Sequence, residues 1–196
     1  MNAPTNRKNA DTSIGMIMYH HMDPLDIVGP YEVFARLPNS RVYLLAEMME
    51  PVISSLGLSM LPDRALETAP EVDLLFVPGG PGQRTMSRNT DFLRRLNTIG
   101  ESAQLISSIC TGSLLLGAAG LLNGYRATTH WLCLDELAKY QATAVSERVV
   151  IDRNRITGAG VSAGLDLALV IVAKLYGQDF ARNSTASRVR PSAAIQ

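Results

Sequence analysis

Short continuous apolar runs alternate along this chain with longer segments whose apolar positions recur every three or four residues. The first kind suits strands buried on both faces, the second amphipathic helices. Ile14-Gly15-Met16-Ile17-Met18-Tyr19 reads as the first buried strand. The polar stretch before it, Met1 to Thr12, lacks periodicity and is expected to be a disordered arm. After a loop from His20 to Asp26, Pro30 is expected to start a helix whose apolar face holds Tyr31, Val33, Phe34 and Leu37. Val42-Tyr43-Leu44-Leu45 is the next strand, followed by a short strand or hairpin around Val52-Ile53-Ser54-Ser55 and Leu58. The run from Val72 to Val77 is a further buried strand, closed by Pro78-Gly79-Gly80-Pro81-Gly82, and a helix is expected from about Asp91 to Glu101.

The run Leu105-Ile106-Ser107-Ser108-Ile109 stops at Cys110, and after Thr111-Gly112 the stretch from Ser113 to Ala119 has the Leu and Ala content of a helix. Arg126 to His130 then reads as a brief strand and Trp131 to Tyr140 as a helix. Val149 to Thr157 reads as two strands joined at Asp152-Arg153-Asn154. Leu165 to Tyr176 carries charge only at Asp166 and Lys174, so a buried helix is expected there. From Asp179 to Gln196 little pattern is left, and a tail is expected. No internal repeat is visible. Strands alternating with helices predict a mostly parallel sheet covered on both faces, in one α/β domain over residues 13–178.

Composition supports a single compact unit: 196 residues with 46% hydrophobic content can bury a full core. Eighteen basic residues balance eighteen acidic ones, and no Lys/Arg cluster stands out before the extreme C-terminus. That leaves no electrostatic footprint for nucleic acid. From Ser102 to Tyr125 the chain is uncharged and long enough to cross a bilayer, but its serines and glycines and the break at Cys110 point to a buried strand and helix. Cys110 and Cys133 lack the spacings of a metal site, and no signal peptide opens the chain, which predicts a reducing cytoplasm.

The candidate chemistry gathers where strands end, because ligands of an open parallel sheet bind beyond its carboxyl ends. A thiol on the tight turn at Cys110 would point into a cleft, with helix N–H groups and the positive end of the helix dipole aimed at the sulfur. Both favour the thiolate. A free cysteine is more commonly a small buried hydrophobe, but the Thr-Gly that follows suits an exposed elbow. Asp26 could move protons beside such a thiol, or simply satisfy N–H groups at a helix start before Pro30. The Gly79-Gly80 loop has no phosphate-binding pattern, and its N–H groups are expected to face an anion formed at Cys110. His130, beside Trp131, is either a third member of this set or a structural group. His20 and His21 with Asp23 lack further ligand spacing, so no metal is expected. Gly160-Val161-Ser162-Ala163-Gly164 matches the elbow of serine hydrolases, yet no histidine follows it, as that fold requires. Its glycines are expected to serve close packing of the last helix.

Jointly, Leu25-Asp26-Ile27-Val28-Gly29-Pro30-Tyr31-Glu32-Val33-Phe34, Val77-Pro78-Gly79-Gly80, Ser108-Ile109-Cys110-Thr111-Gly112-Ser113 and Ala127-Thr128-Thr129-His130-Trp131 resemble the DJ-1/PfpI superfamily. The resemblance runs from about Ile14 to Tyr176 and is strongest to the branch that hydrates isonitriles. It implies a flavodoxin-like three-layer sandwich, a reactive cysteine on the elbow and a homodimer. It also implies a cofactor-free lyase that adds water to a small isonitrile to give an N-substituted formamide. In that scheme Cys110 attacks the terminal carbon, Asp26 handles the proton and Thr111 helps position the water, while Ile27, Gly79, Gly80 and His130 contact substrate. Many members carry a histidine after the cysteine and a glutamate near the first strand. Thr111 and Asp26 stand in those places, which argues against the peptidase-like and glyoxalase-like branches. The same motifs occur in the sensor domains of AraC-type regulators, so the alternative is a stand-alone module that senses a ligand or oxidation at Cys110.

Overall fold

The computed structural model describes residues 11–185, with side chains through Ala181. The chain runs β1 (Thr12–Ile17), α1 (Pro24–Phe34), β2 (Ser40–Ala46), the hairpin strands β3 (Val52–Ile53) and β4 (Ser59–Met60), β5 (Arg64–Ala65) and β6 (Leu74–Val77). It continues through α2 (Gln83–Met86), α3 (Thr90–Ser102), β7 (Leu105–Ile109), α4 (Gly112–Ala118), β8 (Arg126–Ala127) and a 3-10 helix (Trp131–Tyr140). After β9 (Thr143–Ala144), β10 (Val149–Asp152) and β11 (Arg155–Gly158), it closes with α5 (Gly164–Tyr176) and α6 (Gln178–Thr185).

Seven strands form one sheet in the order β10-β11-β7-β6-β1-β2-β5. Every neighbouring pair is parallel except the edge hairpin β10/β11. The central strands are apolar on both faces because both are covered: Ile14, Met16, Leu74, Phe76 and Ile106 are all fully buried. α1 packs on α5 and α5 on α6, while α4 packs on α2 and α3. α3 shows how local sequence sets this up. Asn89 caps it by accepting from the Phe92 N–H at 3.0 Å, and Phe92, Leu96 and Ile99, spaced four and three apart, are its buried stripe. Phe34 of α1 meets Phe76 of β6 edge-to-face at 5.7 Å, seating the helix on the sheet.

The sandwich predicted from strand–helix alternation is present, and the uncharged stretch from Ser102 to Tyr125 folds as β7 and α4. No helix among the described residues is long and apolar enough to cross a membrane. Three boundaries differ from expectation. α1 begins at Pro24, and Pro30 lies inside it. Proline at the first helical position suits Pro24 equally well, and the turn around Pro30 is backed by α5, where Gly164 faces its ring. Thr12, placed in the expected arm, is already paired with Ser40 in β1, and residues 1–10 lie outside the described residues. Of the expected tail, Asp179 to Thr185 belong to α6, where Phe180 stacks on Tyr176 at 5.1 Å, and residues 186–196 lie outside the described residues.

Candidate active site

Strand order reverses between the parallel neighbours β1 and β6: from β1 the sheet grows outward through β2, then restarts at β6 and grows the other way. Such a switch point opens a crevice at the strands' carboxyl ends. The segments leaving β1, β6 and β7 converge there.

Cys110 makes the turn from β7 into α4 with φ +54°, a left-handed conformation uncommon for any residue but glycine. Its backbone is held on both sides. The Cys110 N–H donates to the Gly158 carbonyl at 3.0 Å, and Thr129 Oγ1 donates to the Cys110 carbonyl at 2.9 Å. Two glycines let the neighbouring loop close on this elbow. A Cβ on Gly79 would fall 2.5 Å from the Thr111 nitrogen and 2.8 Å from Cys110 Cβ, and one on Gly112 would run into the Val77 and Pro78 carbonyls. Tyr19, at the end of the first apolar run, ties down the same loop by donating to the Pro78 carbonyl at 2.8 Å.

Asp26 lies in the first turn of α1 and is completely buried. Its Oδ2 accepts from the Gly79 N–H at 3.0 Å, whereas Oδ1 is buried and has no nitrogen or oxygen partner among the described residues. Burial pushes this carboxyl up to about 7. The Gly79 N–H opposes that rise, repulsion from Asp23 adds to it, and the Cys110 thiol pulls back down. Burial and then the Asp26 charge push the Cys110 thiol up to about 12, against the Thr111 N–H that favours the thiolate. The expected resting thiolate is therefore corrected. At 3% exposure beside a carboxylate, desolvation outweighs the N-terminus of a seven-residue helix. The same environment raises Tyr19 well above the usual phenol range, burial first and the Asp26 charge second.

The glycine loop also departs from expectation. The Gly79 N–H is taken by Asp26 and the Gly80 N–H by Thr111 Oγ1 at 2.9 Å, so neither is free for an anion at Cys110. Thr111 Oγ1 returns a bond to the Gly80 carbonyl at 3.3 Å. Gly80, Thr111 and His130 line a cleft of about 860 Å3 together with Cys110, Asp23 and Cys133. His130 Nδ1 accepts from the Leu132 N–H at 3.3 Å, so this ring caps the 3-10 helix as well as forming cleft wall. Ile27 does not reach the cleft. With α1 starting at Pro24, it turns into the core and is 1% exposed. His20 Nδ1 accepts from the Ile53 N–H at 3.2 Å and fixes the β3–β4 hairpin. Ser162 is exposed, and both glycines flanking it have room for a Cβ, so close packing of the helix does not require them.

Sequence reasoning considered Asp23 only with His20 and His21 as a metal set and did not place it, or Thr129, beside Cys110. Asp23-Pro24 is the signature of an N-cap with proline at the first helical position, and it would have located both the start of α1 and Asp23 beside the site. Among the described residues, Asp23, Asp26 and Cys110 bring an oxygen, an oxygen and a sulfur within 4.8 Å of one another. The spacing admits a cation, but a carboxyl titrating near 7 and a thiol held up to about 12 must both give up protons first. What the pair can do is pass a proton from sulfur to carboxylate as the sulfur attacks an electrophile, which removes the cost of a free thiolate.

A family model described as the DJ-1/PfpI family matches residues 12–174. The isonitrile hydratase of Pseudomonas putida is 42% identical over 169 residues, covering 86% of this chain and 74% of that protein. The HTH-type transcriptional regulator GbdR of Pseudomonas aeruginosa is 36% identical over 131 residues, 65% of this chain and 35% of the regulator. In crystal form, a ThiJ/PfpI family protein from Pseudomonas syringae superposes with a TM-score of 0.90 at 40% identity, over 98% of this chain and 83% of that one. Match, fold and elbow agree: this chain belongs to the DJ-1/PfpI family.

Proposed function

We propose that this chain is an isonitrile hydratase, a lyase that needs no cofactor, with Cys110 as nucleophile and Asp26 as its proton carrier. The reading is carried by the placement of the buried Asp26 carboxyl, held by the Gly79 N–H with an oxygen within 4.8 Å of Cys110 Sγ on the strained elbow, where it can take the thiol proton. Similarity to the Pseudomonas putida hydratase over most of both chains supports the substrate class. Asp26 takes the thiol proton as sulfur attacks the terminal carbon of R–N≡C, then passes that proton to the same carbon. The result is R–N=CH–S on Cys110. Water then adds to this carbon, nitrogen is protonated, sulfur leaves and R–NH–CHO is released. Covalent attachment thus splits one difficult addition into two easier ones. Thr111 braces the Gly80 loop against the elbow, and Gly80 and His130 form cleft wall around the substrate.

Leu25, Val28 and Tyr31 on α1 and Leu165 on α5 are all exposed apolar side chains of two packed helices. Their clustering supports a homodimer through this face. Two free thiols, one of them the nucleophile, suit a reducing cytoplasm.

The test is formamide production from cyclohexyl isocyanide by the native chain and by Cys110→Ala. Turnover lost only in the variant is the expected result. No formamide from folded native protein would transfer the account to a thiol sensor without turnover.

A further inference from the structure

Asp23 occupies the N-cap of α1, where an aspartate ordinarily accepts from the first helical N–H groups, yet its side chain makes no capping bond. It is turned the other way. Oδ1 accepts from Ser55 Oγ of the β3–β4 hairpin at 2.6 Å, and the Asp23 N–H donates to the Gly79 carbonyl at 2.9 Å. So anchored, an oxygen of Asp23 lies within 4.8 Å of both Asp26 and Cys110 Sγ. Unlike Asp26, Asp23 is half-buried and lines the cleft.

We propose that Asp23 is a second catalytic carboxylate, the base that takes the proton of the water opening the Cys110 adduct. The proposal rests on the hydratase reading. Opening the adduct needs a base with a face open to water close to Cys110, and Asp26, Thr111 and Cys110 itself lack one. Asp26 is sealed, with one oxygen on the Gly79 N–H and the other buried. Thr111 Oγ1 is engaged with both the N–H and the carbonyl of Gly80. Cys110 is itself carrying the substrate. Asp23 has one oxygen fixed by Ser55 and the cleft in front of it.

The two carboxylates divide the protons. In the first half the S–H bond breaks, C–S forms, and the thiol proton travels through Asp26 to the isonitrile carbon. In the second, a water O–H bond breaks as C–O forms, and its proton goes to Asp23 and on to the substrate nitrogen. The C–S bond then breaks as the new hydroxyl becomes a carbonyl, and the hydroxyl proton returns through Asp26 to sulfur. Formamide and free thiol result, with both carboxylates as they began. Two acidic groups with separate environments and separate duties are a familiar division of labour.

The experiment uses the full chain, cyclohexyl isocyanide and the conservative variant Asp23→Asn, which keeps the side chain's shape and an acceptor for Ser55. Turnover is followed by formamide release, and samples quenched in acid are weighed as intact protein. The proposal expects kcat to fall about 100-fold while protein carrying one added isonitrile accumulates at close to the native rate of adduct formation. Ser55→Ala should slow the same step by a smaller factor. Asp23→Asn turning over within about threefold of native, or losing turnover with Cys110 unmodified, would overturn it. Failure of native protein to make formamide would instead overturn the hydratase reading, and the same assay shows which has failed.

Discussion

Asp26 Oδ2 accepts the Gly79 N–H at 3.0 Å, and this one bond joins the helix after β1 to the loop after β6 directly beneath Cys110. It fixes where the carboxyl sits and leaves the other oxygen buried beside the Cys110 thiol. A carboxyl so placed is ready to change protonation state near pH 7.

Ionising Asp26 must then cost stability. Its folded value, about 7, lies above the ordinary 3.8, so its contribution is fully favourable below pH 3.8 and is lost as pH rises through 7. The cost at pH 8 is on the order of 4 kcal/mol. Asp26→Asn, which can still accept from Gly79, should melt higher than native protein at pH 8, with the two converging by pH 4, and should be inactive. Thermal melts across that range check it.

Gly79→Ala places a methyl against the Thr111 nitrogen and Cys110 Cβ. Both are backbone-fixed, so the elbow must shift. The expected destabilisation is about 1 to 3 kcal/mol, with activity reduced far more than stability. Melting temperature and kcat/KM measured on one preparation separate the two effects.

Thr129→Val keeps the shape but removes the donor to the Cys110 carbonyl, leaving a buried acceptor unpaired. A loss of about 1 to 3 kcal/mol is expected in urea unfolding. Relaxation of the Cys110 backbone from φ +54° should also slow formation of the adduct.

Val28→Lys puts a charge into the apolar face shared with Leu25, Tyr31 and Leu165. Sedimentation should show native dimer and variant monomer. A native monomer would remove the proposed interface.

Much of the frame was legible because it rests on local pattern. The apolar runs of β1, β6 and β7 and the stripe Phe92, Leu96, Ile99 of α3 each announce themselves. Cys110 was legible from the strand, Thr-Gly and helix around it. What escaped depends on contacts between distant segments. Pro30 resembles a helix start until α5 is seen behind it. The thiol's protonation is decided by burial and by Asp26, 84 residues away in sequence and adjacent in space. Asp23 looks like an ordinary cap until Ser55 draws it toward the cleft.

The pH dependence of kcat/KM for cyclohexyl isocyanide tests the central claim, that Cys110 gives its proton to an Asp26 carboxylate. The account predicts a rate that climbs about tenfold per pH unit below 7 and levels above it, with the bend set by Asp26 at about 7. A profile flat from pH 5 to pH 8, or one that keeps rising to a bend in the ordinary thiol range near 8.5, would contradict it.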